Sequence, residues 1–464
     1  MRQPDVGALA LLGSAALAAA TGVALTLGGP LAAVVPLGLV AAVLAAARPR
    51  FLLLVYVSAV ALLENDQLGF LPQRGVFYDG VATGADLLFA LLVVATALWL
   101  VRERRSVLVP EPFTLPLALL AAALLGATVL GLGSNGDVVN IADSLRAFLP
   151  LLLVPVVVVN LLDDERRLVQ AAAIAAVLGA VKGLEGVVAW STGGGRPLEG
   201  TTITFYEPAA NFLLLVFLIG AAALFLLHGR VPWWVWLAVP PTALAFVFSY
   251  RRNFWIAGLI ALALTVLLSR VQSGRRALLP VLALLAVGAS ATLAWRGPPD
   301  LEGPVSQRFT SLAPARIVSD PYDRYRLDEQ RNVVAEIREH PVLGIGLGVP
   351  WQLRHPIPVE LDGGRLYVHV VALWWWLKLG LPGLAAYVWL VVGAIVVGLG
   401  VARRAGADVV RAGGLALATA FLGMAAAETT GSFTGVSDRY TVLVAMALGW
   451  LAAARRLRST AQPT

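Results

Sequence analysis

Long apolar runs separated by arginine clusters constrain this chain more than any other feature. A helix needs roughly 20 apolar residues to cross a bilayer's hydrocarbon core. Reading apolar runs between charge clusters gives expected spans near 7–28, 31–47, 51–63, 84–101, 113–132, 144–162, 168–190, 205–227, 231–250, 253–269, 277–295, 381–401, 411–427 and 439–453. Of the 464 residues, 59% are apolar and 14% charged. A soluble domain averages about 45–50% apolar and about 25% charged. The expected class is therefore an all-α polytopic integral membrane protein with about 12–14 transmembrane helices and one large extracytoplasmic loop containing short helices. The first run has one arginine ahead of it and no clear cleavage site, so it reads as a retained helix.

Composition also excludes chemistries. There is no cysteine, so thiol catalysis, Cys-ligated zinc and iron–sulfur clusters are ruled out. The four histidines stand at 228, 340, 355 and 369, which disfavours a site of several His ligands. Lysine occurs only at 182 and 378, and the other basic residues are arginine. The net charge of +7 is read by position and not as a nucleic-acid signal. Arg48/Arg50, Arg102/Arg104/Arg105, Arg166/Arg167, Arg270/Arg275/Arg276, Arg403/Arg404 and Arg455/Arg456/Arg458 fall on one side if the spans alternate. By the positive-inside rule that side is the cytoplasm, and both termini lie there. Residues 1–295 then carry the first helices, 296–366 an extracytoplasmic loop, and 367–464 an interfacial helix and the last spans.

Arg251 and Arg252 break this sidedness, since they stand at the outer end of a span with almost no loop around them. An arginine near hydrocarbon depth costs at least ~2.5 kcal/mol. The pair therefore points to an anionic ligand or a carboxylate partner; the alternative is snorkelling to outer headgroups. The outer loop, about 70 residues, is longer than connections usually are. Within it Asp320-Pro321 marks a helix start, and His340-Pro341 its end. The expected helix, 321–339, has an apolar stripe of Tyr325, Leu327, Val334 and Ile337. Arg324 and Arg326 lie in its first turns, where an anion is favoured; Arg331 and Arg338 follow. Local pairing with Asp328, Glu329, Glu336 and Glu339 is the alternative for these arginines. Gly344-Ile-Gly-Leu-Gly348 follows a helix and is not a strand-to-helix nucleotide loop. Tyr367-Val-His369 leads into Trp374–Trp376 and Gly380-Leu-Pro382-Gly383. One helix over 367–401 would be about 52 Å long, so a break is expected near Gly380–Pro382. By position alone His369 is either a satisfied structural residue or a catalytic one.

These residues, in this order, resemble the O-antigen ligase and polymerase (WaaL/Wzy-type) membrane family. The resemblance runs through Arg326, Pro341, Gly344–Gly348, His369 and Gly380–Gly383, together with Ser249-Tyr-Arg-Arg252-Asn-Phe-Trp255, over roughly 245–390. It departs at Val370, where Asn is common, and at Asn253, where Gly is usual. The resemblance implies glycan transfer from undecaprenyl diphosphate to an acceptor hydroxyl, without nucleotide, metal or other cofactor. The partners it implies are a lipid-linked glycan donor, a lipid or glycan acceptor and the bilayer, with no nucleic acid. It implies a bacterial cytoplasmic (inner) membrane location and an extracytoplasmic site. His369 falls at the catalytic position, and Arg252 and Arg326 fall at the donor diphosphate, with Arg251 assisting. Arg324, Arg331, Glu207 and Tyr367 are possible accessory residues; Glu207 and Asp438-Arg439 are acceptor contacts or paired structural charges. Ligase is favoured slightly over a polymerase joining lipid-linked repeat units. Other readings are a polyprenyl-monophosphate transferase using Glu64 and Asp66, a lipid-linked-glycan flippase, and a structural membrane subunit.

Overall fold

In the computed structural model the described residues are 48–63, 84–192, 196–198, 201–203, 207–269, 321–357, 364–431 and 433–460. The expected spans 7–28, 31–47 and 277–295, the loop residues 296–320 and the Glu64/Asp66 pair lie outside them. Labelled in order, the helices are α1 (Pro49–Leu62), α2 (Gly84–Arg102), α3 (Thr114–Gly133), α4 (Val138–Leu161), α5 (Glu165–Ser191), α6 (Pro208–His228), α7 (Trp233–Val247), α8 (Arg252–Leu268), α9 (Pro321–Glu339), α10 (Val371–Arg404), α11 (Asp408–Ala427) and α12 (Asp438–Thr460). Eight are long and apolar enough to cross a membrane, and α1, α7 and α8 are shorter apolar helices. Each of these eleven overlaps an expected span.

The protein is a polytopic helical membrane protein. One departure from the all-α expectation is a small antiparallel hairpin, β1 (Arg196–Leu198) with β2 (Thr201–Ile203), pairing Leu198 with Thr201.

The chain forms two compact units, one of 1–57 and 84–107, the other of 58–83 and 108–464. In the first, the Arg50 and Arg105 guanidinium carbons stand 5.3 and 4.9 Å from the Trp99 ring centroid, a cation–π arrangement. The second unit contains all the candidate site residues. Within it α11 packs on α10, α8 and α6, while α12 packs on α4, α10 on α3, and α5 on α7. Lipid is as apolar as leucine, so close backbone approach replaces the hydrophobic effect as the packing device. A Cβ on Gly423 would stand 2.4 Å from the Ala257 carbonyl oxygen, and one on Gly398 2.7 Å from that of Gly414. Buried hydroxyls are satisfied, as in the Thr265–Thr419 contact of 2.8 Å. Leu125, Val129, Leu237, Val392 and Val396 are exposed, as expected of lipid-facing positions.

The expected break in the long helix falls at Gly380, whose φ of 69° and ψ of −169° interrupt α10. A Cβ there would lie 2.1 Å from the Val342 carbonyl oxygen, so the bend brings the segment after α9 against α10. The segment Gly344–Gly348 is sewn into the bundle: Ile345 donates to the Leu377 carbonyl (2.8 Å), Leu347 to that of Ala127 (3.0 Å), and Asp137 to that of Gly348 (3.1 Å). Its glycines serve backbone packing.

Candidate functional site

Helix α9 has the limits its sequence signals indicate, but its buried face is not the expected apolar stripe. Leu327 is 42% exposed, whereas Tyr325, Val333 and Ile337 are buried together with Glu329, Asn332 and Glu336. Buried polar groups must be hydrogen-bonded, and these are. The Asn332 amide donates to the Asp328 and His355 carbonyls (2.8 and 3.0 Å) and its oxygen accepts from the Arg354 and His355 amides (both 2.7 Å).

Glu329, fully buried, reaches His369. Its Oε2 accepts the His369 backbone N–H at 2.8 Å and stands 3.1 Å from Nδ1; Oε1 is 3.2 Å from Nδ1. An ionised carboxylate can only accept, so in the tautomer that pairs with one Nδ1 is the donor. Nε2 is then the ring nitrogen that Glu329 does not engage. The Tyr325 and Tyr367 rings meet the imidazole edge-on, with centroids 5.8 and 4.8 Å away. His369 is thus held from α9 on one side and by its own strand of chain on the other. Sequence reasoning placed Glu329 among acids for local arginines and missed this pairing, which links residues 40 positions apart.

Arg326 follows Tyr325 on α9 and is half-buried, and Arg324 is exposed. Arg331 points out, 69% exposed, and donates to Asp328 at 2.9 Å. Arg251 caps α8 and Arg252 is its first residue, both half-buried. The turn before them is tight: Ser249 donates to the Phe246 carbonyl (2.7 Å), Tyr250 has φ 50°, and the Trp255 indole donates back to Phe246 (3.3 Å). A guanidinium at a helix N-terminus is disfavoured by the macrodipole, and an anion beside it gains from both.

The loop between α11 and α12 joins these parts. Near the α8 start, a Cβ on Gly431 would meet Asn253 Nδ2 at 3.1 Å, and the Phe433 and Phe254 rings are 5.3 Å apart. Near His369, Val371 N–H donates to the Glu428 carbonyl (3.2 Å) and the Trp375 indole to that of Thr434 (2.9 Å). The buried Glu428 carboxylate fixes the loop, accepting from Tyr387 (2.6 Å) and from the Thr434 hydroxyl and N–H (2.6 and 2.9 Å).

A cavity of about 410 Å³ opens beside Tyr367. Its wall includes Tyr367 and Glu207, and does not include His369, Arg251, Arg252, Arg324, Arg326 or Arg331. Glu207 is ion-paired there with Arg439, and Arg146 with Asp438 (3.1 Å).

Among the described residues, Glu336, Glu339 and His340 cluster closely enough to hold a cation. Arg354 already fills that role: its guanidinium donates to both Glu339 oxygens and to Glu336 (3.2 Å). The bond from Arg354 holds the Glu339 carboxyl below the usual carboxylate range.

A helical membrane array with a carboxylate-held imidazole at the start of its long helix α10 defines the class: a membrane protein with a polar cluster beside its spans. Residues 213–388 match the O-antigen ligase family model, Wzy_C, so this part of the chain is similar to the O-antigen ligase/polymerase family. The matched region runs from α6 into α10 and contains Arg252, Arg326, Glu329 and His369. The match supports glycan transfer of the ligase/polymerase kind in general. No curated protein matches the chain.

Proposed function

We propose that the protein transfers a glycan from undecaprenyl diphosphate to an acceptor hydroxyl at the outer face of the cytoplasmic membrane, inverting the anomeric centre. In this reading His369 is the base. The acceptor oxygen bonds to the sugar C1, the C1–O bond to the diphosphate breaks, and the acceptor proton passes to His369 Nε2. A neutral hydroxyl has a high pKa, and a positioned imidazole suits such a proton transfer near neutral pH. Negative charge grows on the leaving diphosphate. Arg252 and Arg326, with Arg251, stabilise it, and fixed guanidinium groups act strongly where water is sparse. No step is routed through a metal or cofactor.

The supporting observation is the His369–Glu329 pair, set one helical turn from Arg326 inside the family region. Ligase is preferred to repeat-unit polymerase because Arg326 and His369 belong to one loop region. The test is transfer in reconstituted vesicles holding the source cell's lipid-linked glycan, with product linkage read by NMR. His369→Ala is expected to abolish transfer with folding intact, and EDTA to leave wild-type turnover unchanged. Near-normal turnover by His369→Ala, or a retained anomeric configuration, would sink the scheme. A polymer-length product made without the final acceptor would select the polymerase.

A further inference from the structure

The cavity beside Tyr367 is not absorbed by this chemistry. Its wall carries three acids, Asp143, Glu207 and Asp438, and three bases, Arg146, Lys378 and Arg439. The formal charges cancel, so the cavity offers no net field for a diphosphate. The bases are also tied to protein acceptors. Arg146 meets Asp438 at 3.1 Å, Arg439 binds Glu207 and donates to the Val60 carbonyl at 2.9 Å, and Lys378 donates to that of Val349. Between these pairs stand Asn140, Ser144 and Ser437, with Tyr367 and Trp374 as aromatic wall. Alternating donors and acceptors with aromatic surface suit a neutral polyhydroxylated ligand. The volume lies within the roughly 300–1,000 Å³ of small-molecule sites. The Tyr367 ring that lines it is 4.8 Å from the His369 ring, so a ligand there adjoins the reacting centre.

We propose that this cavity is a glycan subsite, holding one or two uncharged sugar rings next to the bond being formed. The assignment rests on the glycan-transfer reading above. The sugars come from the donor or from the acceptor, and both present the same hydroxyl chemistry.

The experiment uses full-length protein in nanodiscs and two probes, followed by saturation-transfer NMR and calorimetry. One probe is the oligosaccharide released by mild acid from the source cell's lipid-linked pool. The other is the acceptor glycan isolated from cells lacking this gene. One of the two is expected to bind, which identifies the source, and to bind about tenfold more weakly to Asn140→Ala, the loss of one or two hydrogen bonds. Ser144→Trp, which fills the cavity, is expected to abolish binding; if it does not fold, Asn140→Ala decides. The proposal is overturned if neither probe binds the wild type, or if the folded variants bind as the wild type does. His369→Ala is expected to bind the probe normally. Transfer that depends on His369 without binding of either probe removes the subsite alone. Binding that depends on Asn140 with transfer indifferent to His369 removes the catalytic reading alone.

Discussion

Glu329 grips His369 twice, accepting its backbone N–H at 2.8 Å and facing its Nδ1 at 3.1 Å. One carboxylate therefore sets both the chain path and the ring orientation of a residue 40 positions away. A hydrogen bond involving a charged group contributes about 1.5–3 kcal/mol, or roughly 10–100-fold in rate if it acts only on the chemical step. Glu329→Gln keeps the shape and the acceptor for the backbone N–H but loses the charge. It is expected to lower kcat by about 10–100-fold with donor KM changed less than about twofold, as befits a positioning residue. A rise in KM with kcat intact would instead assign Glu329 to substrate binding.

The arginines separate in a different way. Arg252 starts α8 and Arg326 lies on α9, so in the proposed scheme the two guanidinium groups come to the diphosphate from different helices. Each alanine variant is expected to raise donor KM about 10–100-fold, the range of a charge-assisted hydrogen bond. Lysine is expected to recover little of this, because it lacks the planar fork that meets two phosphate oxygens. Arg331→Ala, which removes an exposed pair with Asp328, is expected to leave donor KM within about twofold, since exposed pairs contribute little. Equal losses at all three positions would mean a general field effect and not specific contacts.

Backbone punctuation was readable in the sequence, and long-range polar pairing was not. Asp320-Pro321 and His340-Pro341 marked the ends of α9 and Gly380 the bend in α10, because glycine and proline act locally. The tight turn at Phe248–Arg251 followed from apolar runs meeting without a loop. The buried face of α9 was misread because Glu329, Asn332 and Glu336 look solvated on a helical wheel. Their partners, His369, Arg354 and the 354–355 backbone, come from later in the chain. Only tertiary structure supplies those partners. Likewise, Arg331 and Arg326 are equivalent in composition, and packing alone turns one outward and leaves the other half-buried.

The sewn segment after α9 makes a stability prediction. Gly346 has φ 89°, and a Cβ there would lie 2.6 Å from the Gly131 nitrogen and 3.0 Å from the Ala127 carbonyl oxygen. Left-handed backbone costs an L-residue roughly 1–2 kcal/mol, and overpacking adds about 1–3 kcal/mol. Gly346→Ala is expected to lower the thermal midpoint in detergent by several degrees and to cut transfer with it. Gly126→Ala and Gly220→Ala, at helical positions with open space around the new Cβ, are expected to be neutral or slightly stabilising. Equal behaviour of all three would show that the 344–348 path is loose.

The Arg354 clamp predicts a pH dependence of opposite sense to that of a histidine switch. Its hydrogen bond to Glu339 holds that carboxyl below the ordinary range, so the folded state binds the proton less readily than the unfolded chain. The clamp's contribution is therefore complete above the ordinary glutamate pKa of about 4.3 and is lost as pH falls below it through the depressed folded value. Amide exchange across 340–357 is expected to be slow and level from pH 7 to 5, then to accelerate beyond the intrinsic trend in more acidic buffer. Glu339→Gln removes the titrating partner, so exchange there is expected to be faster at neutral pH and to lose the acid-specific step. A step that persists in Glu339→Gln would move the effect to the buried Glu336, the other carboxylate Arg354 holds.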